Sequence, residues 1–232
     1  MSSMLDARLC SAAELVRQGA VFADIGTDHA YLPIFLLEAG RIERAVCSDI
    51  NRGPLASAER NIAERGLSDR VELVLTGGAR ELSGRGITDY AVCGMGGELI
   101  ADIVAEAVHL KDPDLRLILQ PMTRQEHLRS KLYAMGFSIL SERYSYAEGK
   151  YYVCMCVRYS GEPRRLSEVE AYLGVSPIDG GRVEYIGYLE GKLRAVRSAI
   201  SGKEAGGVSP SAEREIEAAL ERRIDELRGS EK

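Results

Sequence analysis

Short apolar runs alternate with amphipathic segments over the first two thirds of the chain, and this alternation constrains the fold most. Five apolar runs have the length of a strand: 20–24, 45–48, 71–75, 89–93 and 115–120. Four segments between or after them have helical spacing: 31–39, 53–65, 98–108 and 124–135. Strands that alternate with helices favour a parallel sheet, and continuous apolar strands fit a sheet covered on both faces. We therefore predict an α/β fold with a parallel sheet covered on both faces.

The pattern changes after the fifth strand. Two further strand-like segments, 137–146 and 150–159, are separated only by the three residues Ala-Glu-Gly. A connection this short joins antiparallel strands, because a parallel pair needs a crossover of a dozen or more residues. The sheet is therefore predicted to have seven strands and to end in an antiparallel hairpin.

The last part of the chain has a third pattern. Apolar residues recur every three or four positions over 182–201 and again over 213–228, with a turn-rich link, GKEAGGVSPS, between them. This spacing predicts two antiparallel helices packed through a narrow seam, as in a coiled coil. We predict two domains, the α/β domain over 1–161 and a small coiled-coil-like helical domain over 162–232. The helical domain could serve to grip RNA or to form a dimer.

Charge and cysteine content limit the possible settings of the protein. The net charge is −5 at pH 7, which is unusual for a nucleic-acid binder, but residues 182–203 hold five basic side chains against two acidic ones. The five cysteines contain no C-x-x-C pair, which argues against a disulfide framework and a zinc site. No apolar stretch reaches the length of a membrane span and no signal peptide is evident. We expect a cytoplasmic protein without a metal, and we expect His109 and His127 to lie on the surface.

Polar and glycine residues follow each predicted strand, where ligands bind in parallel sheets. The first strand is followed by Asp24, Gly26 and Thr27, and the second by Asp49 and Ile50, with Asp49 placed 25 positions after Asp24. The third and fourth strands are followed by glycine-rich turns with five candidate cofactor contacts: Gly77, Gly78, Gly94, Met95 and Gly96. These strand ends together predict one cofactor pocket.

The residues of the first turn separate two cofactor classes. A dinucleotide needs several glycines to hold its pyrophosphate, whereas this turn has one glycine and two carboxylates, Asp24 and Asp28. Two carboxylates repel a pyrophosphate and suit the cationic amino-acid and sulfonium end of S-adenosylmethionine. Asp49 could accept both ribose hydroxyls of the cofactor. The turn favours a methyltransferase over a nicotinamide oxidoreductase.

Four strings of the sequence resemble bacterial TrmK, the family of tRNA adenine N1-methyltransferases that modify position 22 in the D-arm region. The strings are DIGTDHAYLP at 24–33, CGMGGELI at 93–100, LILQPM at 117–122 and GKYYVCMCV at 149–157. The resemblance spans almost the whole chain. It implies a Rossmann-like domain with S-adenosylmethionine as cofactor, tRNA as partner, and a coiled-coil-like helical domain that helps to grip the tRNA. One departure is Gly78, which stands where the family usually has an Asp near the cofactor adenine.

Three residues near the first turn are candidates for contact with the substrate. Asp28 could stabilise the positive charge that adenine gains on N1 methylation, bind the cofactor, or simply cap the following helix. Tyr31 could position the base or belong to the core, and His29 could contact cofactor or substrate or simply be a packed residue. Four basic residues of the tail are candidates for phosphate contacts: Arg182, Lys192, Arg194 and Arg197.

Other functions remain open from the residues alone. A methyltransferase that acts on a protein or a small molecule would show the same strand ends, and a non-catalytic adaptor could keep the fold and dimerise through its helices. The Asn/Asp-Pro-Pro-aromatic motif of N6-adenine enzymes is absent after the fourth strand, where Cys93-Gly94-Met95-Gly96 stands. This absence favours attack by a ring nitrogen. We expect a monomer or a weak homodimer.

Overall fold

The computed structural model describes residues 5–229, and its core is a seven-stranded sheet in the order β3-β2-β1-β4-β5-β7-β6. The five strands β1 to β5 are parallel, β7 is antiparallel to β5, and β6 is antiparallel to β7. This topology confirms the predicted α/β fold with a terminal hairpin. The strands are β1 Ala20–Ile25, β2 Ile42–Asp49, β3 Val71–Leu75, β4 Asp89–Gly96, β5 Arg116–Thr123, β6 Phe137–Ala147 and β7 Lys150–Tyr159.

Helices cover both faces of the sheet. Side chains of β1 alternate between them, since Phe22 packs with the core under α1, α2 and α3, and Ala23 with the core under α4, α5 and the C-terminal helices. Burial of both faces explains why the parallel strands are continuously apolar. The helices are α1 Ala7–Leu15, α2 Tyr31–Glu38, α3 Arg52–Glu64, α4 Gly97–Glu106, α5 Gln125–Ala134, α6 Glu168–Leu173, α7 Arg182–Ala205 and α8 Ser211–Gly229.

Two helices were not predicted, and local hydrogen bonds start each of them. The Leu9 N–H donates to the carboxylate of Asp6 at 2.8 Å at the start of α1. Ser167 and Glu170 form a reciprocal capping box at the start of α6. Both helices are shorter than ten residues, so their apolar periodicity is too brief to be a clear signal.

The α7–α8 seam is present as the spacing predicts. Val196 and Ile200 of α7 are buried with Ile216, Leu220, Ile224 and Leu227 of α8. Tyr185, Tyr188 and Leu189, at the other end of α7, lie in the same core as β6 and α5. The predicted boundary at residue 161 falls between β7 and α6, in a segment without helix or strand, and it stays a prediction.

A buried ion pair connects α5, β6 and α6. The Arg129 guanidinium donates to both carboxylate oxygens of Glu142, through Nε at 2.7 Å and Nη2 at 3.2 Å, and both side chains are at most 2% exposed. Arg129 Nη1 donates to the Ala171 carbonyl at 2.8 Å, and the Tyr144 hydroxyl donates to Glu142 at 2.7 Å. Gly174 follows α6 at φ +77°, and a Cβ there would lie 2.5 Å from Glu142 Oε2. The C-terminal helices are thereby attached to the sheet through specific polar contacts.

Candidate functional site

The main candidate site is a cleft of about 240 Å³ at the carboxyl ends of β1 and β4. The strand order reverses between these two strands, which is where ligands bind in open parallel sheets. The cleft brings together seven of the residues predicted for the site: Asp24, Gly26, Thr27, Asp28, His29, Tyr31 and, from the fourth-strand turn, Gly94. The first turn and the fourth-strand turn therefore meet as expected.

Asp24 is a buried carboxylate at the floor of the cleft, only 8% exposed. Burial raises its pKa from the ordinary 3.8 to about 6, and the nearby Thr27 hydroxyl partly offsets this rise. Thr27 Oγ1, which lines the same cleft, is buried without a hydrogen-bond partner in the described part of the chain. Buried polar groups normally have partners, so this floor is suited to a ligand that brings a cation and hydrogen-bonding groups.

Gly26 allows the fourth-strand turn to approach the first turn closely. Gly26 has φ +78°, a conformation that L side chains rarely adopt, and a Cβ there would overlap the methyl group of Met95. The Gly26 and Thr27 N–H groups both donate to the Ser48 carbonyl, at 2.8 and 2.9 Å. These bonds hold the turn that follows β1 against the end of β2. Met95 of the fourth-strand turn is thus packed directly against the first turn.

Arg8 of α1 lines the same cleft and was not among the predicted site residues. Its Nη1 donates to Gln120 Oε1 at 2.9 Å, and the same oxygen accepts the Gly94 N–H at 3.0 Å. Gln120, at the end of β5, is fully buried, so it holds both Arg8 and the fourth-strand turn in place. The Arg8 guanidinium, which also pairs with Asp6 at 3.2 Å, and the buried Asp24 carboxylate line the same cleft and give it the two charges that a zwitterionic amino acid needs.

Asp28, His29 and Tyr31 form the outer wall of the cleft. The Asp28 side chain is 75% exposed and pairs with His29 Nε2 at 3.3 Å. The His29 and Tyr31 rings are stacked, with centroids 5.1 Å apart. Ala30, at φ +56°, is the N-cap of α2 and no side chain caps this helix, so the capping role considered for Asp28 is wrong. Tyr31 is 40% exposed, so its assignment to the core is also wrong.

A second cleft lies beside the ends of β2 and β3. Gly77 and Gly78 line this cleft and not the main one, so the single pocket expected from the strand ends is divided into two clefts and the cofactor role of these glycines stays a prediction. The exposed Ile50 side chain lies against Gly77. Asp49 ends β2, and its Oδ1 accepts the Asn51 N–H at 2.7 Å. The cleft also contains Glu81, whose carboxylate accepts a hydrogen bond from the Thr76 hydroxyl at 2.9 Å. This hydrogen bond lowers the pKa of Glu81. Glu81 is a carboxylate acceptor in a region where Gly78 offers none.

Three of the four basic residues predicted for RNA contact are paired within the chain. Arg182 donates to the Leu227 carbonyl at 2.8 Å. Lys192 contacts Gln125 at 2.7 Å and Glu126 at 2.8 Å, and Arg197 pairs with Glu217 and Glu221. Arg194 alone of the four has neither an ion pair nor a side-chain hydrogen bond with any residue of 5–229. The role of these residues in RNA binding stays a prediction.

His109 corrects an expectation. We expected this residue on the surface, but its ring lies 5.7 Å from that of Tyr90 and its Nε2 is buried without a partner among residues 5–229. Burial lowers the pKa of His109, so it is a packed neutral imidazole.

The described residues contain no cluster of three or more His, Cys, Asp and Glu that could hold a metal ion. No helix within 5–229 is long and apolar enough to cross a membrane.

Comparison with known proteins agrees with this geometry. A family model described as a methyltransferase domain matches residues 5–155. The tRNA (adenine(22)-N(1))-methyltransferase of Bacillus subtilis (strain 168) is 36% identical over 149 residues, which are 64% of this chain and 62% of that relative. The match therefore spans less than two thirds of the relative's length.

Solved structures resemble the whole chain. Streptococcus pneumoniae Sp1610, proposed to be a tRNA (m1A22) methyltransferase, is 29% identical with a TM-score of 0.81, and 95% of this chain and 99% of that chain are covered. The same protein in complex with S-adenosyl-L-methionine is 28% identical with a TM-score of 0.79, at the same coverage. The B. subtilis tRNA methyltransferase TrmK is 25% identical with a TM-score of 0.72, covering 97% of both chains. Because the family model covers more than half of the sequence and the cleft lies where the fold places its ligands, the chain belongs to the methyltransferase-domain family.

Proposed function

We propose that this protein transfers a methyl group from S-adenosylmethionine to N1 of adenine 22 in the D-arm region of tRNA. The observation that carries the proposal is the buried Asp24 carboxylate in a cleft that Arg8 also lines, at the switch point of the sheet. The likeness to proteins named for tRNA (m1A22) methyltransfer supports the choice of substrate.

The residues of the two clefts fit the chemical groups of this cofactor. Asp24 suits the ammonium group, and Arg8 suits the carboxylate. Asp49 ends β2, at the position suited to the ribose hydroxyls, and Glu81 offers the adenine amino group an acceptor that Gly78 lacks. When bound, S-adenosylmethionine supplies an electrophilic methyl group.

The outer wall of the main cleft suits an incoming adenine. Adenine N1 carries an in-plane lone pair and needs no deprotonation, so the protein contributes by orienting the base and excluding water. The exposed Tyr31 and His29 rings offer a surface against which a base can stack. Asp28, next to them, is placed to favour the positive charge that develops on the methylated ring. The target base has to leave its stack or pair for N1 to be reached.

The substrate assignment predicts a strict dependence on one base. Unmodified tRNA transcripts with adenine 22 should accept labelled methyl groups, and nuclease digestion should recover 1-methyladenosine. The same transcripts with guanine 22 should show only background labelling. Equal labelling of both transcripts would contradict the base assignment, and failure to bind S-adenosylmethionine at all would favour a non-catalytic adaptor.

Substitution of Asp28 tests its proposed role in the reaction. We expect Asp28→Ala to lower kcat by about 30–100-fold, because a charge that stabilises the developing cation is lost, with little change in cofactor affinity. Single-turnover methylation and calorimetric cofactor binding separate these two effects. Asp69→Ala, which removes an exposed carboxylate next to the amino end of β3, is the control and should leave both unchanged. A loss of cofactor affinity in Asp28→Ala would identify Asp28 as a cofactor ligand.

A further inference from the structure

A basic groove of about 600 Å³ runs along the outer face of α5 and is separate from both clefts of the candidate site. We call it the α5 groove; it is lined by His127, Ser130, Lys131 and Ala134 of α5 and by residues 163–166. Its lining holds Lys131, Arg164, Arg165 and one histidine, and no carboxylate. A lining with only basic charge is unexpected in a chain whose net charge is −5.

The backbone that forms the groove is held in place. The Arg164 N–H donates to the Tyr133 carbonyl at 2.8 Å, which ties the 163–166 segment to the last turn of α5. The Arg164 side chain pairs with Glu170 and lies over the Tyr133 ring at 5.7 Å, and Leu166 is buried. Arg164 and Leu166 therefore hold the 163–166 segment against α5. Lys131 and Arg165 are exposed and make no ion pair with any residue between 5 and 229.

The predicted phosphate contacts of the tail do not offer an equivalent surface. The groove between α7 and α8 is lined by Arg194, Arg197 and Arg228, but also by Glu190, Glu221 and Asp225. The three basic and three acidic residues give this groove no net formal charge. Arg228 pairs with Glu190, and Arg197 pairs with Glu221. A polyanion gains little from a groove in which each phosphate would meet a carboxylate.

We propose that the α5 groove binds the phosphate backbone of the RNA substrate through Lys131 and Arg165; this inference rests on the proposed function. His127, Lys131 and Ala134 lie on one face of the helix over about 10 Å, since the rise is ~1.5 Å per residue. That length spans roughly three phosphates of one duplex strand at ~3.4 Å of axis each. Helix α5 begins directly after β5, at the carboxyl edge of the sheet that carries the cleft, and runs toward the opposite edge. RNA bound along the helix therefore has the His127 end of the groove directed toward the site.

The double variant Lys131→Glu/Arg165→Glu tests the groove. We expect its Kd for unmodified tRNA to rise about 10–100-fold at 0.1 M salt and its KM for tRNA to rise in parallel, with kcat at saturating tRNA and cofactor affinity unchanged. The slope of log K against log salt should fall by about 1.5–2, because two phosphate contacts are lost. Lys131→Gln/Arg165→Gln, which introduces no new charge, should give the same changes at smaller size.

Two control variants locate the effect. Arg60→Glu/Lys111→Glu makes the same change in net charge on exposed residues of α3 and of the loop before β5, and should leave Kd and slope as in the wild type. Arg194→Glu tests the tail. The proposal would be overturned by a groove variant that binds tRNA as tightly as Arg60→Glu/Lys111→Glu does. It would also be overturned if only Arg194→Glu lost affinity for tRNA. Binding to phosphatidylserine vesicles is measured for the same proteins. A groove variant that loses vesicle binding but keeps its tRNA affinity would also overturn the proposal, because the groove would then bind lipid headgroups and not RNA.

The outcomes for the groove and for the proposed function are distinguishable. Wild-type protein that binds tRNA through the groove but methylates none of it would overturn the proposed function and support the groove. Wild-type protein that methylates tRNA with groove variants of unchanged KM would support the function and overturn the groove. Wild-type protein that binds no tRNA would overturn both.

Discussion

Arg129→Met is expected to destabilise the protein by about 3–5 kcal/mol, because it leaves the Glu142 carboxylate buried without its cation. The Ala171 carbonyl loses its donor at the same time, so α6 and the helices after it lose part of their attachment. Urea unfolding monitored by circular dichroism measures the change in the free energy of unfolding. Loss of less than about 1 kcal/mol would show that the pair is not buried in solution.

The double variant Arg129→Met/Glu142→Leu is the matched control for this result. Removing both charges avoids an unpaired buried ion, so the double variant should be more stable than either single variant. Glu142→Leu alone should resemble Arg129→Met, since it leaves the guanidinium buried. A double variant that is as unstable as the sum of the two single ones would show that the partners act independently.

Asp24→Asn is expected to lower the affinity for S-adenosylmethionine by on the order of 100–1,000-fold while it stabilises the free protein. The first effect follows from loss of the buried charge opposite the cofactor's ammonium group. The second follows from the raised pKa of Asp24, because ionisation of a buried carboxylate opposes folding. The gain at pH 7.5 should be about 1–3 kcal/mol. Calorimetric titration and thermal unfolding of the free protein measure the two effects.

The pH dependence of the wild type follows from the same pKa. The folded state holds the Asp24 proton more tightly than the unfolded state, so this group's contribution to stability is favourable below about pH 4 and falls as the pH rises to about 6. Cofactor affinity should change in the opposite direction. It should weaken below pH 6, where Asp24 is protonated, and this pH dependence should be absent in Asp24→Asn.

Asp89→Asn is the control for a buried aspartate outside the site. Asp89 begins β4, is fully buried and pairs with Arg17, whose Nε lies 2.8 Å from Oδ1. Its neutralisation should destabilise the protein and leave cofactor affinity unchanged. If Asp24→Asn instead destabilises the protein as Asp89→Asn does, Asp24 is a structural carboxylate and its proposed role in cofactor binding is wrong.

Much of the fold could be predicted because local patterns carry it. The apolar runs, the three-residue hairpin turn and the spacing of the tail helices each depend on residues close together in the sequence. The meeting of the first and fourth turns also followed, since parallel strands bring their carboxyl ends to one edge. Arg8 could not be found this way, because the residue that positions it, Gln120, lies 112 positions along the chain.

The tail shows a second limit of sequence patterns. Arg197 belongs to a local excess of basic residues, yet its partners Glu217 and Glu221 lie on another helix and neutralise it. Lys192 is likewise paired with Glu126 of α5. A count of charges within one segment therefore gives neither the net charge of the folded surface nor the kind of molecule that binds there. The α5 groove is the converse case, since Lys131 and Arg165 are far apart in the sequence and adjacent in the structure.

The buried pair of Arg129 and Glu142 has a consequence for the proposed choice of a target base. Arg129 lies on the same helix as Lys131, so the groove and the sheet that bears the cleft are parts of one stiff frame. Such a frame fixes the distance between the groove and the cleft. If the α5 groove holds the RNA backbone as proposed, this frame would select an adenine that stands at a set distance from the bound backbone, and selectivity would depend on that distance more than on the neighbouring bases.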